Sequence, residues 1–196
     1  MFSKQYEFLK IVVDLLTAML GIVFLAPLFL VICVLIELDF AGPAIFVQKR
    51  VGKNNQLFSL YKFRTMSKET PPYMLKPKSD DGRITKIGRL LRDTGLDEAP
   101  QLFNVLKGEM SLVGPRPEML FVVEGYTEAE RQRLKVKPGI TGSWQLSGRT
   151  QAPIHHNLEY DLTYIKNRSF SLDLSILFKT LILSLTSTLK VLLNIS

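Results

Sequence analysis

The chain has 196 residues, which suits one domain with an apolar core rather than several domains. Its formal net charge of +7 favours polyanionic partners, namely nucleic acid, an anionic membrane surface or phosphorylated substrates. With a single cysteine, Cys33, and two histidines, the composition excludes an internal disulfide and argues against a zinc site, but it is compatible with Mg²⁺ on oxygen ligands.

The N-terminal segment 15–36 carries no charge and predicts a membrane helix, roughly 33 Å long if it is unbroken. Pro27 lies in its middle, so we expect a break near this residue. Basic residues flank the segment on both sides, which favours a cytoplasmic location for both ends. They are Lys4 and Lys10 before it, and Lys49, Arg50, Lys53, Lys62 and Arg64 after it. These features predict a re-entrant hairpin; a single kinked span is the alternative.

A β-hairpin follows, with strand patterns at 44–47 and 57–61. The intervening Lys53–Gln56 predicts the turn, because asparagine tolerates a positive φ. Residues 67–82 are polar and contain three prolines, so we expect a loop. Three apolar residues then mark one face of a short helix whose other sides are basic. They are Ile84, Ile87 and Leu91.

Two adjacent carboxylates, Asp97 and Glu98, precede an apolar helical pattern that Gly108 ends. Pro100 is compatible only with a first turn, so both carboxylates are predicted at a helix N-terminus. The positive end of the helix dipole keeps a carboxylate ionised and attracts phosphate. The simpler interpretation is that Asp97 is only an N-cap. Arg116 follows between two prolines, in a turn suited to holding a phosphate.

The C-terminal half contains a capping box at Thr127–Glu130 and a glycine-rich segment at 138–149. The glycines suit either close approach of the backbone to a ligand or a structural turn. A helix follows, with a buried face predicted at Leu158, Leu162 and Ile165. The run 174–193 is apolar apart from a narrow polar stripe, which predicts a helix lying in the membrane interface; a core helix is the alternative.

Four segments in order resemble the bacterial sugar transferases, the monotopic phosphoglycosyl transferase family. They are FVQKRVGKNNQLFSLYKFRTM (46–66), DGRITKIGRLLRDTGLDEAPQLFNVLKGEMSLVGPRP (81–117), PGITGSWQLSGR (138–149) and LEYDLTYIKN (158–167). The resemblance extends over nearly the whole chain and implies the minimal catalytic form of the family. It also supports the re-entrant membrane helix.

The resemblance implies an enzyme that moves a phosphosugar from a UDP-sugar to polyprenyl (undecaprenyl) phosphate and releases UMP. The product is the first membrane-bound intermediate in the assembly of a glycan. The reaction implies Mg²⁺ as cofactor, membrane lipid as a partner, and a location on the cytoplasmic face of the bacterial inner membrane. The sugar, the lipid length and any homo-oligomer stay open.

Roles for individual residues also follow from the resemblance. Asp97 corresponds to the nucleophile, which forms a covalent aspartyl phosphosugar, and Glu98 to its catalytic partner. The expected phosphate-binding residues are Arg116, Lys62, Arg64 and Arg149. The expected metal ligands are Asp97 and Asp161, with Glu98 as a further candidate. Trp144 is shifted by one position from the family pattern, so no contact is assigned to it.

The predicted fold is α+β: a re-entrant membrane helix at 1–40, broken near Pro27, followed by a catalytic domain at 41–196. This domain contains a small β-hairpin, several helices around the active site and amphipathic interfacial helices. A membrane-surface adaptor that binds anionic lipid without catalysis is the alternative function. Nucleic acid is not an expected partner, because the basic residues are dispersed among apolar membrane elements.

Overall fold

The computed structural model of the protein describes residues 4–39, 42–71, 81–147 and 158–193. Its helices and two small sheets confirm the mixed fold class. The strands are β1 (Ile45–Val51), β2 (Leu57–Phe63), β3 (Ser111–Val113) and β4 (Gly139–Thr141). The α-helices are α1 (Lys4–Asp39), α2 (Lys86–Thr94), α3 (Leu102–Leu106), α4 (Leu120–Glu124), α5 (Glu128–Arg131), α6 (Ser143–Leu146), α7 (Leu158–Asn167) and α8 (Phe170–Leu193).

Helix α1 is continuous over 36 residues and includes Pro27, so the predicted break near this proline is not confirmed. Proline removes one backbone hydrogen bond, and a helix can continue beyond it when its neighbours pack well. Ala18, in the first half of α1, belongs to the main core, which also contains residues of β2, α3, β3, α7 and α8. Ile32 and Ile36, in the second half, pack in another cluster with β2 and α2. Both halves therefore lie against the same domain.

The predicted hairpin is confirmed. Strands β1 and β2 pair antiparallel, with Ile45 opposite Phe63 and Val51 opposite Leu57. The connection places Asn54 at φ 55° and Asn55 at φ 62°, the left-handed region in which asparagine is favoured among non-glycine residues. The hairpin buries Phe58 and Leu60 in the main core, and it directs Lys62 towards the carboxylate pair described below.

A parallel pair of short strands was not predicted. Strand β3 pairs with β4, and the glycines around them let two backbone segments meet without intervening side chains. A Cβ on Gly114 would lie 2.5 Å from the carbonyl oxygen of Lys137, and one on Gly142 would lie 2.3 Å from that of Gly114. The described part of the glycine-rich segment therefore packs closely on the backbone that carries Gly114, as a structural role for its glycines requires.

The helices predicted from local signals are present, with two corrections. Ile84, predicted on the apolar face of α2, precedes this helix and forms an isolated β-bridge with Met66. Helix α2 begins after Thr85, whose side chain accepts a hydrogen bond from the Gly88 amide, and the capping box at Thr127 is formed. In α7 the predicted apolar face is only half-buried, whereas Asp161 and Tyr164 are almost completely enclosed. The prediction for α7 was partly wrong because Asp161 finds a cationic partner that allows its burial.

Helix α8 reverses the pattern of a helix that faces water. Its inward face joins the main core through Ile176 and also makes polar contacts: Thr180 bonds Thr141 at 2.7 Å, and the Ser184 hydroxyl donates to the carbonyl of Thr94 at 3.1 Å. Its outward residues are large and apolar, including Phe178 and Leu181. Among the described residues, α1 and the stretch Phe170–Val191 are long and apolar enough to cross a membrane by length and composition.

Candidate active site

The carboxylate pair lies in a tight connection between two helices. Helix α2 ends at Gly95, which adopts φ 75°, and a 3₁₀ turn at Leu96–Gln101 continues directly into α3. Asp97 and Glu98 occupy the first turn, as predicted. The N-cap position belongs to Gly95, so the interpretation of Asp97 as an N-cap is wrong.

Glu98 joins two cations that come from distant parts of the sequence. Its Oε1 accepts hydrogen bonds from Lys62 Nζ at 2.5 Å and from Arg116 Nη2 at 2.7 Å. Arg116 Nη1 also lies 3.4 Å from Oε2. Burial alone would raise the pKa of Glu98, but Arg116 and Lys62 overcome this effect and hold its pKa well below the usual range. Glu98 is therefore ionised throughout the physiological pH range.

Asp97 has the opposite electrostatic character. Burial raises the pKa of its carboxyl to about 6; Lys62 opposes the rise and the negative charge of Glu98 adds to it. No residue in the described part of the chain donates a hydrogen bond to the Asp97 side chain. A carboxylate without a hydrogen-bond donor and with a raised pKa is suited to act as a nucleophile or as a metal ligand.

The other predicted phosphate-binding residues have different positions. Arg64 donates from Nε to the carbonyl of Pro43 at 2.8 Å and lies over the ring of Phe46, so its known contacts belong to the hairpin. Arg149 lies outside the described residues. Arg92 was predicted on the basic sides of α2, interpreted either as a solvated face or as a rim near phosphates, and its charge interacts with Asp97. Its position five residues before Asp97 was the available signal.

Asp161 is connected to the turn that carries Arg116 through Arg133. Its Oδ2 accepts a hydrogen bond from Arg133 Nε at 2.7 Å, and both side chains are almost fully buried. Arg133 also donates to the Tyr126 hydroxyl and to the carbonyl oxygen of Arg116. Burial raises the pKa of Asp161, and Arg133 opposes the rise. The role of Arg133 was not predicted from the sequence, because nothing local connects this residue to Asp161 or Arg116.

The residues around Asp97 fit a magnesium ion that also binds a diphosphate. Mg²⁺ is commonly held by one or two carboxylates together with substrate phosphates and waters. Asp97 has hard oxygen atoms with no hydrogen-bond donor among the described residues, and Glu98 is its neighbour. Within these residues no group of three or more acidic, histidine or cysteine side chains is arranged to hold a metal without such a substrate.

Comparisons with known proteins agree with the resemblance. The family model described as bacterial sugar transferase matches residues 5–187. An "Uncharacterized sugar transferase" of Haemophilus influenzae is 41% identical over 189 residues, covering 88% of this chain and 40% of the relative. A "UDP-N-acetylgalactosamine-undecaprenyl-phosphate N-acetylgalactosaminephosphotransferase" of Aeromonas hydrophila is 41% identical over 186 residues, covering 91% of this chain and 44% of the relative.

The relatives differ in how much of their own length the chain spans. The chain spans less than half of the two relatives just named, whereas it spans 85% of the "Uncharacterized sugar transferase EpsL" of Bacillus subtilis, with 43% identity over 173 residues. The match therefore includes the carboxylate pair, its two cations and most of α8. The chain belongs to the bacterial sugar transferase family.

Proposed function

We propose that this protein transfers a phosphosugar from a UDP-sugar to a polyprenyl phosphate, with Asp97 as nucleophile. The observation that carries the proposal is the contrast between the two neighbouring carboxylates. Glu98 binds Lys62 and Arg116, whereas Asp97 keeps a raised pKa and accepts no hydrogen bond from the described residues. The name of the Aeromonas relative contains both a UDP-sugar and undecaprenyl phosphate, which supports these substrates.

The reaction proceeds in two displacements. An oxygen of the Asp97 carboxylate attacks the β-phosphorus of the UDP-sugar, the bond from this phosphorus to the bridging oxygen breaks, and UMP leaves with the bonding electrons. An oxygen of polyprenyl phosphate then attacks the same phosphorus, and the Asp97 carboxylate leaves. The products are UMP and a polyprenyl diphosphate sugar, with charge and atoms conserved. Covalent catalysis of this kind divides one difficult transfer into two steps.

The cations would place the diphosphate and reduce its repulsion with Asp97. Arg116 uses two of its five N–H donors on Glu98, and about a third of its side chain is exposed, so donors stay accessible to a phosphate. Lys62 lies on the same carboxylate and contributes a second positive charge. With a pKa of about 6, most Asp97 side chains are ionised near neutral pH. Arg64 and Arg149 stay predicted phosphate ligands.

We further propose Mg²⁺ as cofactor, held by Asp97 and the diphosphate oxygens, with Glu98 close by. When bound, the ion would offset the negative charge of the diphosphate as a carboxylate approaches it. Asp161 stays a predicted ligand, although its carboxylate already binds Arg133. The experiment in the next subsection separates these two roles.

The membrane arrangement proposed here is a re-entrant α1, with the catalytic domain on the cytoplasmic face of the inner membrane. Two contacts support it. Lys10, near the start of α1, forms an ion pair with Asp173 of α8, and Ile36, near its end, packs beside Phe63 of the hairpin. A re-entrant helix keeps both of its ends on the side of the membrane where the domain lies, as these two contacts require. Phe103 of α3 also approaches Phe29 of α1, which brings the carboxylate turn near the membrane helix.

Cysteine labelling tests this topology. In a Cys33→Ser background, single cysteines at Lys4 and Gly42 should both resist a membrane-impermeant thiol reagent applied to spheroplasts and react after lysis. Reaction of only one of the two cysteines in spheroplasts before lysis would indicate that α1 spans the membrane. Reaction of both would place the domain on the outer face.

The activity is tested in nanodiscs that contain undecaprenyl phosphate, with Mg²⁺ and a panel of UDP-sugars. We expect UMP release by the natural protein and its loss in Asp97→Asn. Asp93→Asn is the matched control, because Asp93 is an exposed carboxylate on α2 and should leave turnover unchanged. Chelation by EDTA should stop UMP release, and added Mg²⁺ should restore it.

Omission of the lipid acceptor tests the covalent step. The natural protein should release one equivalent of UMP and gain the mass of one phosphosugar at Asp97, and Asp97→Asn should do neither. Turnover by Asp97→Asn at the natural rate would exclude this residue as nucleophile. If no UDP-sugar yields UMP while the protein still binds anionic vesicles, the adaptor function is the better conclusion.

A further inference from the structure

The turn Pro115–Pro117 is fixed through its carbonyl groups. Its two prolines have no N–H group, so the turn has few donors of its own. The carbonyl of Pro115 accepts from the Gly139 amide at 2.9 Å, and the carbonyl of Pro117 lies 3.4 Å from Arg50 Nη1. The middle carbonyl, that of Arg116 itself, accepts from Arg133 Nη2 at 3.0 Å. The orientation of Arg116 therefore depends on Arg133.

Arg133 is held by partners on two further elements. Its Nε donates to Asp161 of α7, and its Nη1 donates to the hydroxyl of Tyr126, which follows α4. Only 4% of Arg133 and 1% of Asp161 is exposed, so water cannot replace these contacts. The planar guanidinium serves three acceptors at once, which the single ammonium of a lysine cannot do in the same geometry.

A continuous chain of contacts thus connects Asp161 to the carboxylate pair. It passes from Asp161 to Arg133, then to the backbone and the guanidinium of Arg116, and finally to Glu98, the neighbour of Asp97. We propose that Arg133 and Asp161 are positioning residues, which orient Arg116 towards the diphosphate in the transferase reaction proposed above. Asp161 acts through Arg133 and not as a ligand of magnesium.

The variants Arg133→Lys, Asp161→Asn and their combination test this role. Misplacement of a binding group by about 1 Å can reduce catalysis roughly 100-fold. We therefore expect kcat/KM for the UDP-sugar to fall about 10- to 100-fold in each single variant. The kcat/KM of the double variant should be no lower than that of the more impaired single variant, because both residues act through one contact. The Mg²⁺ concentration for half-maximal rate should not change.

Asp173→Asn is the matched control. Asp173 is also a buried carboxylate in an ion pair, with Lys10 at 2.7 Å, but it bonds Lys10, Tyr6 and Tyr164 rather than residues of the Arg116 turn. It should lower the melting temperature without changing the KM for the UDP-sugar. Tyr126→Phe removes one hydroxyl beside Arg133 and preserves the ion pair, so it supplies a milder variant if the others fold poorly. It should raise the same KM, by a smaller factor.

Binding of magnesium pyrophosphate, measured by calorimetry, gives a readout that does not require turnover. Weaker pyrophosphate binding by Arg133→Lys and Asp161→Asn supports the positioning role even if no UDP-sugar is turned over, in which case only the transferase proposal fails. If both variants release UMP at the rate of the natural protein and with an unchanged KM for the UDP-sugar, the positioning role is overturned and the transferase proposal is not. A rise in the half-saturating Mg²⁺ concentration confined to Asp161→Asn would also overturn it, in favour of a metal ligand.

Discussion

Asp97 should lower the stability of the folded protein. Its pKa rises from 3.8 to about 6, which corresponds to about 3 kcal/mol at 1.36 kcal/mol per pKa unit. The folded chain holds the proton more tightly than the unfolded chain, so the free energy of unfolding falls as pH rises from about 4 to 6 and stays lowered above that window. The value is an upper bound, because the side chain keeps some exposure to water.

The substitution Asp97→Asn removes this charge and should stabilise the protein. Linkage gives a gain of about 3 kcal/mol at pH 8 and about half of that at pH 5. In a chain of this length, such a gain raises the melting temperature by up to roughly 10 °C. The same substitution should abolish UMP release, so this change would increase stability while it removes activity.

Glu98→Gln should have the opposite effect. The folded-state pKa of Glu98 is lowered, so its contribution is present above the unfolded value of 4.5 and is lost as pH falls below it. Loss of its charged hydrogen bonds to Lys62 and Arg116 should destabilise the protein by about 1.5 to 3 kcal/mol, nearly equally at pH 5 and pH 8.

Thermal unfolding in detergent micelles at the two pH values measures both effects, with the exposed Asp93→Asn as the control that should change neither. The opposite signs at adjacent positions are the decisive result. Equal destabilisation by Asp97→Asn and Glu98→Gln at pH 8 would refute the electrostatic assignment, as would a stabilisation by Asp97→Asn that does not depend on pH.

Two further predictions concern the pH dependence and the backbone of the site. Lys62→Met removes a charge that lowers the pKa of Asp97, so the midpoint of the pH–rate profile of UMP release should rise above 6; an unchanged midpoint would contradict the assignment. Gly114→Ala places a Cβ 2.5 Å from the carbonyl oxygen of Lys137 and should lower the denaturation midpoint by an amount equivalent to about 3 kcal/mol or more, whereas Gly82→Ala has no atom within 4 Å and should be neutral.

Local signals predicted local structure well. The asparagine turn of the hairpin, the capping box at Thr127 and the helix after Thr85 each depend on residues within a few positions, and the structure confirms them. The pairing of β3 with β4 was missed because it joins three-residue strands separated by 25 residues and has no alternating pattern to reveal it. The glycines that permit this pairing were visible, but they were equally compatible with a ligand loop.

The carboxylate turn was located from the sequence, and the resemblance assigned different roles to Asp97 and Glu98, but the contacts that distinguish them were not predicted. Adjacent side chains point in different directions, yet the sequence does not show which one meets Lys62 and Arg116. The same limit applies to Asp161, whose burial depends on an arginine 28 positions away. Pro27 shows the reverse case: a strong local signal predicted a break, but the chain stays helical on both sides of it.

The arrangement explains why a nucleophilic aspartate would need an adjacent glutamate. In the proposed reaction Lys62 and Arg116 bind the diphosphate, but a short ion pair between either cation and Asp97 would lower the pKa and the nucleophilicity of Asp97. Glu98 accepts the short hydrogen bonds from both cations, and its negative charge further raises the pKa of Asp97. Asp97 thereby stays more basic than a surface aspartate and still ionised near neutral pH. An incoming diphosphate can then engage the remaining donors of Arg116 while the nucleophile keeps its oxygens available.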